Sequence, residues 1–448
     1  MVKIAGGMLG VESGDSPLRR IKAGAGGGCN CRATEALAVY RRLSHHESQD
    51  LQAMMDVVVA YCRKWRFELN TKKTQIVVYG KRGEGGVRIL MGGVVLKEVS
   101  EYKYLGMLVA KAFSWRKQKD KMWRDARRKM AYAWSMLWRA GYFSVKAGIS
   151  VWNALIRPSL EYGAEIWNSE DDMIWHEAEL LQREMARRVL GCGKTVTTEA
   201  LMGELGWVPL LARRKMLRIR FWGKVERMKA DRWVKRVYEE SRRQFEEDPS
   251  MKNWCSLTCR WMREAGLGEV WTRRDASGDM IGWKETVKNA VMEQESAVWR
   301  SAVLGKAKLE PVYAHVKKIL EYEDYLDHPD VEGRRILLGM RSGTNGLRVD
   351  TGRWEFVVVL GKKARLPRSL RVCQVCFDGV EDEMHFVLDC PGYAVEREDM
   401  FRGLDVLDTS PGAVARRMRW CVEGGGKEVA ICFLRKAGKE KESVYVGV

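Results

Sequence analysis

Apolar residues first settle into a regular pattern near Gln49. Leu51, Met54, Met55, Val58, Val59 and Cys62 fall at i, i+3 and i+4 steps, which predicts an amphipathic helix over 49–66. The period then shortens to that of strands. β-Branched runs over 75–79, 87–91, 94–96 and 104–109 are separated by glycine and charged turns. After residue 114 the helical period returns and predicts helices over 115–138, 145–156, 174–190, 210–228, 233–247, 253–264 and 283–304. Pro158 and the Gly191-Cys192-Gly193 run are expected to interrupt them. The fold class is therefore α+β and mostly α, a small strand region followed by a long helical one. Residues 1–44 show neither period, and the glycine-rich stretch from Gly24 to Gly28 predicts disorder there.

Charge narrows the choice of partner. Lys plus Arg number 78 against 59 Asp plus Glu, a net charge of +19. That excess points to a polyanion, since every phosphate neutralised releases condensed counterions. Anionic membrane is the weaker reading, because no segment approaches the ~18 apolar residues of a spanning helix. The 11 cysteines are odd in number and irregular in spacing, which implies a reducing compartment, cytoplasm or nucleus. Most of the 18 tryptophans sit at helical spacing beside Leu, Met and Val, as core residues do. A few could stack on bases beside arginines.

Two basic runs stand out. Residues 116–129 hold Lys117, Lys121, Arg124 and Arg128 among eight cations, and residues 213–236 hold Arg214, Arg218 and Lys224 among eleven. Each is either a solvated helix face or a track for phosphates. A sharper chemical signal is Cys373-x2-Cys376-x8-His385-x4-Cys390. Two thiolates on a tight turn, with a His and a Cys one helical turn apart, can close a tetrahedron around Zn²⁺. All four positions are then filled by protein, so the metal is structural. Reduced core cysteines beside a satisfied histidine are the alternative. Cys29 and Cys31 are too close together for such a pair, and His45-His46 has no neighbouring ligands.

The order of motifs resembles the C-terminal part of a LINE-type (non-LTR) retrotransposon reverse transcriptase. Phe67-Glu-Leu-Asn70 followed by Thr74 is similar to the segment that closes the family's palm, and Glu101-Tyr-Lys-Tyr-Leu-Gly106 to its primer-grip hairpin. Leu155-Ile-Arg-Pro-Ser-Leu-Glu-Tyr-Gly163 and Glu204-Leu-Gly-Trp-Val-Pro209 resemble the thumb region, and Arg341-Ser-Gly-Thr-Asn-Gly346 leads to the cysteine cluster, similar to the family's CCHC knuckle. The resemblance covers about residues 46–400 and implies a division into 1–44 (a disordered or foreign segment, as a frame-shifted reading would give), 45–113 (palm tail), 114–208 (thumb-like), 209–360 (basic helical connector), 361–400 (zinc knuckle) and 401–448 (basic tail). It implies that Tyr102, Lys103, Tyr104 and Gly106 brace a primer end, although an ordinary hairpin core explains them equally. It implies a vestigial palm role for Lys73, which also reads as a solvated turn lysine. The basic helices would lie along RNA, an RNA–DNA hybrid or a DNA duplex.

One expected part is missing. Phosphoryl transfer from a nucleoside triphosphate needs paired metal ions held by carboxylates, and the family's aromatic-x-Asp-Asp pair would fall within residues 29–43. Glu35 is the only carboxylate there. Asp171-Asp172 lies far beyond the hairpin at a predicted helix start, where acids are expected from the helix dipole. This chain is thus expected to hold nucleic acid without polymerising, with Mg²⁺ belonging only to an intact parent polymerase. The other reading is a host protein or pseudogene product that keeps a nucleic-acid-binding tail.

Overall fold

The computed structural model describes residues 45–71, 74–78, 88–110, 115–139, 144–166, 172–276, 279–359 and 362–401, and the backbone of three short strands before them. The chain is mostly helical with a few small strand pairs, and it divides into two compact units, 1–122 and 123–448.

In the first unit the strands β1 (Val2–Ile4), β2 (Gly7–Leu9) and β3 (Ala36–Tyr40) precede helix α1 (His45–Lys64). Strand β4 (Gln75–Val78) follows, then β5 (Leu90–Met91), β6 (Val94–Val95), β7 (Lys97–Glu98) and the hairpin β8 (Glu101–Tyr104) with β9 (Met107–Ala110). The main sheet runs β2-β1-β3-β4-β7. It is mixed: β3 pairs parallel to β4 with Leu37 opposite Gln75, and β4 parallel to β7 with Gln75 opposite Lys97. Three strands therefore lie within residues 1–44, where the glycine-rich sequence predicts disorder. Val2, Ile4, Val39 and Tyr40 in these strands are of the β-branched and aromatic types that a pleated sheet favours.

Alternation along β4 builds two cores. Ile76 joins Leu51, Met55 and Val59 of α1 with Ile89, Met91 and Leu96, whereas Val77, on the opposite face, packs on Tyr102. The Gln52 amide clamps the β5 edge to α1. It donates from Nε2 to the Leu90 carbonyl at 2.9 Å and accepts the Leu90 N–H at 2.8 Å.

Helix α2 (Arg116–Arg139) crosses the division between the units. Beyond it come α3 (Val145–Val151), a π-turn over Trp152–Ile156, α4 (Arg157–Glu161), α5 (Asp172–Leu190), α6 (Thr198–Leu205), α7 (Leu210–Glu226) and α8 (Trp233–Glu247). Then follow α9 (Trp254–Glu264), α10 (Gly268–Arg273), α11 (Met280–Leu304), α12 (Tyr313–Val316), α13 (Val331–Ser342) and α14 (Arg348–Thr351). The antiparallel pair β10 (Phe356–Val359) and β11 (Lys362–Arg365) precedes the cysteine cluster and α15 (Ala394–Phe401).

Pro158 does not end its helix as expected. The preceding turn widens to π geometry, with the Arg157 N–H reaching back to the Trp152 carbonyl, and Pro158 enters at the start of α4, where a missing N–H costs little. Gly191 does stop α5. Its φ is 65°, and the Cys192 N–H returns to the Arg187 carbonyl at 3.0 Å.

Tryptophans fill this helical core. The Trp222 ring lies 5.7 Å from Trp271 and 5.6 Å from Trp283, and its Nε1–H donates to the Tyr238 hydroxyl at 3.0 Å. Gly223 permits this approach of α7 to α11, since a Cβ there would stand 2.1 Å from the Trp283 nitrogen.

Candidate metal centre and nucleic-acid interface

The cysteine cluster begins where Val372 bridges Val380, closing a turn on Cys373 and Cys376. The Cys373 N–H donates to the Gly379 carbonyl at 3.0 Å, and Gly379, at φ 68°, takes the left-handed conformation that favours glycine. Asp382 caps the next turn by accepting the His385 N–H at 3.0 Å. A π-turn over His385–Asp389 then closes with the Cys390 N–H on the His385 carbonyl at 2.7 Å. The sequence thus delivers all four side chains to one point.

The ligand atoms of Cys373, Cys376, His385 and Cys390 lie within 4.8 Å of one another. Cys373 Sγ is 3.8 Å from Cys390 Sγ, and Cys376 Sγ is 3.2 Å from His385 Nε2. A tetrahedron with bonds of about 2.3 Å has edges of about 3.7 Å, so the donors already stand at near-coordinating separation. Burial, with the adjacent Cys373 thiol, pushes the Cys390 thiol up to about 12, and burial raises Cys373 as well. Three sulfurs this close cannot all ionise without a cation, and a divalent ion reverses that balance. The residues therefore fit a bound metal. Behind them, buried Glu381 accepts the Arg348 N–H at 2.8 Å and Glu383 accepts from Asn345 Nδ2 at 2.7 Å, tying the cluster to the Asn345–Val349 stretch.

Helix α2 carries its cations in order. Lys117, Lys121, Arg124 and Arg128 follow at steps of four, three and four, one stripe about 16 Å long. Met122, Ala126, Met130 and Ala133 are buried on the opposite face. Lys117 pairs with Glu101 at 2.6 Å and Arg128 with Asp125, both with exposed cations, and such surface pairs are weak.

Other expected residues fall elsewhere. Tyr102 is a core residue against Val77, while Lys103 is exposed. Tyr104 pairs with Met107 across a turn in which Leu105 and Gly106 have φ of 46° and 87°, so Gly106 is required by the turn itself. Lys73 lies outside the described residues, as does most of 1–44 and nearly all of 401–448.

Arg214 and Arg218 are not surface residues. They are 1% and 0% exposed, and their guanidiniums lie over the rings of Trp261 and Trp254 at 5.0 to 5.4 Å. Burial lowers both, Arg214 to about 10. They are removed from the interface, because α7 is enclosed by α5, α9 and α11 and its basic residues mostly serve packing. Arg213 pairs with Glu161 at 2.7 Å and Lys215 with Glu264 at 3.0 Å. Lys224 remains exposed. Sequence reasoning also missed the role of Glu204 and Arg341, which meet in the interior, and the β10–β11 pair.

Among the described residues no helix is long and apolar enough to cross a membrane. No family model matches the chain, and no solved structure does. Curated proteins do. The chain is 21% identical over 174 residues, 39% of its length, to a probable RNA-directed DNA polymerase from transposon X-element of Drosophila melanogaster. It is 23% identical over 159 residues, 35% of its length, to the probable RNA-directed DNA polymerase from transposon BS of the same fly. It is 20% identical over 141 residues, 32% of its length, to the RNA-directed DNA polymerase from mobile element jockey of Drosophila funebris. The matched stretches span 19%, 18% and 15% of those relatives. The curated homologues of this chain are thus RNA-directed DNA polymerases of Drosophila non-LTR retrotransposons, matched over a portion of it at low identity.

Proposed function

We propose that this chain acts as the nucleic-acid-holding part of a retrotransposon RNA-directed DNA polymerase, gripping an RNA–DNA hybrid or duplex without extending it. The observation that carries this is the α2 stripe, four cations in register on a face opposite the buried one. Its contacts are to phosphates, so binding depends steeply on salt and little on sequence. Residues Lys103 and Gly106 sit on the hairpin that would approach the primer end, and Lys224 adds charge from α7. The cysteine cluster holds one structural Zn²⁺, which fixes the fold around it. The metal supplies no chemistry to a substrate, since protein ligands take all four positions.

The test is fluorescence anisotropy with a labelled 20-base-pair RNA–DNA hybrid over a salt series. Replacing Lys117, Lys121, Arg124 and Arg128 together by Gln is expected to flatten the log–log salt slope by about 3 to 4. An unchanged slope removes α2 from the interface. The same preparation with Mg²⁺ or Mn²⁺ and deoxynucleotides is expected to leave a primer unextended, and extension abolished by Glu35→Gln would overturn the non-catalytic part of the reading.

A further inference from the structure

The β10–β11 pair is a two-stranded ribbon with an unusual face. Along β10, Phe356 and Val358 are 52% and 74% exposed, and every residue of β11 is exposed. Register places Phe356 opposite Arg365 and Val358 opposite Lys363, so these four side chains share one face. Just before the ribbon, Trp354 is 69% exposed, with the Arg365 guanidinium 5.3 Å over its ring. Lys363 Nζ lies 4.7 Å over the Phe356 ring. Aromatic and cationic groups thus alternate along one solvent face.

The ribbon is held firmly at its base. The Leu366 N–H donates to the Glu355 carbonyl at 2.8 Å, and Arg348 pairs with the Glu355 carboxylate at 2.8 Å. Arg371 donates from Nη1 to the Val349 carbonyl at 2.9 Å and from Nη2 to the Leu366 carbonyl at 2.9 Å. Arg368 reaches Asp382, the residue that caps the metal-cluster turn, at 2.9 Å. Large apolar groups left in solvent on a braced support are a binding surface rather than an unfinished core.

We infer that this face binds single-stranded nucleic acid, with bases stacking on Trp354 and Phe356 and phosphates paired to Lys363 and Arg365. Charge complementarity selects this occupant. Two of the three cations of β11, Lys363 and Arg365, lie on this face, and β11 carries no carboxylate, which repels another copy of this face and most basic protein surfaces but suits a polyanion with flat bases. Arg365 already stacks on an indole, the arrangement that extends to a base above it. The inference rests on the nucleic-acid reading above but assigns a different element and a different strand state.

The experiment uses the full zinc-loaded chain and two labelled probes, a 20-nucleotide oligo(U) and the 20-base-pair hybrid. Trp354→Ala and Phe356→Ala are each expected to weaken oligo(U) binding about tenfold, within the range of one lost base stack, while hybrid affinity stays within twofold. Val358→Lys is expected to tighten oligo(U) binding several-fold, a gain that misfolding cannot produce. If the first two variants leave oligo(U) affinity unchanged while the hybrid still binds, the ribbon proposal is wrong and the broader reading stands. Absence of binding to either probe defeats both. Concentration-dependent self-association abolished by Val358→Lys, with oligo(U) affinity unaltered, would show the face to be a contact between copies and also overturn the proposal.

Discussion

Glu179 shows how a single side chain reports on packing. It sits on α5 and accepts the Leu211 N–H at 3.0 Å, serving the start of α7, which has no cap of its own. Burial pushes its carboxyl up to about 7, against the lowering effect of the Leu211 bond. The folded protein therefore holds a proton that the unfolded chain releases near pH 4.5, so stability falls as pH rises from about 4.5 to 7. Urea midpoints measured across that window are expected to decline, Glu179 contributing up to ~3 kcal/mol, and Glu179→Gln should lessen the decline, leaving the part due to Glu295 and Glu383, which burial also raises. A wild-type midpoint that rises across the window contradicts the assignment. Arg218 makes a second case. Its Nε donates to Thr258 Oγ1 at 2.9 Å and its Nη2 to the Trp254 carbonyl at 3.3 Å, between two indole faces. Arg218→Ala is expected to cost about 3 kcal/mol in urea unfolding, by loss of packing and bonds, while hybrid binding by the residual folded protein is unchanged. A loss of affinity without a loss of stability would return this residue to the interface.

The cysteine cluster is an element with few local bonds of its own, and it is expected to depend on a bound metal. It consists of a tight turn, one π-turn and two isolated bridging residues, and its buried thiols disfavour one another. Stripping the metal with a chelator, or substituting Cys376→Ser, is expected to expose the amides of 366–397 to rapid hydrogen exchange while α7 and α11 stay protected. One zinc per chain should be released on oxidation of the thiols. Slow exchange in the metal-free protein would mean that apolar packing, such as Phe386 against Tyr393 at 5.0 Å, suffices. This cluster was the most legible part of the chain, because ligand spacing is a local property. The long amphipathic helices were legible for the same reason, and the 233–247 helix appears with the bounds its periodicity predicts. Helix α6 was not, since six of its eight residues are buried and no polar face marks its period. The basic run of α7 misled, because charge along a sequence does not reveal that Arg214 and Arg218 turn inward onto tryptophans supplied by α9.

Across the larger unit, distant segments are joined by a polar knot that no local pattern could announce. Glu204 of α6 and Arg341 of α13, 137 positions apart, are 0% and 1% exposed and pair at 3.1 Å. Arg341 also reaches Glu323 at 2.9 Å, and Glu323 holds buried Lys317. The Tyr325 hydroxyl donates to Glu204 Oε2 at 2.5 Å, and the Glu323 N–H donates to the Glu204 carbonyl at 3.0 Å. Helix α6, helix α13 and the stretch that follows α12 are therefore fixed by one network, with Arg341 held in its charged form. Removing one partner leaves a charge in the interior, which typically costs 3–5 kcal/mol, whereas replacing both with apolar groups can be nearly neutral. Arg341→Met alone and Glu204→Leu alone are each expected to lose about 3–5 kcal/mol in urea unfolding, and the double variant to recover at least half of the summed loss. Additive losses would mean that the two side chains act through separate packing contacts. Losses below ~1 kcal/mol would mean that the apolar core, and not this network, holds α6 to α13.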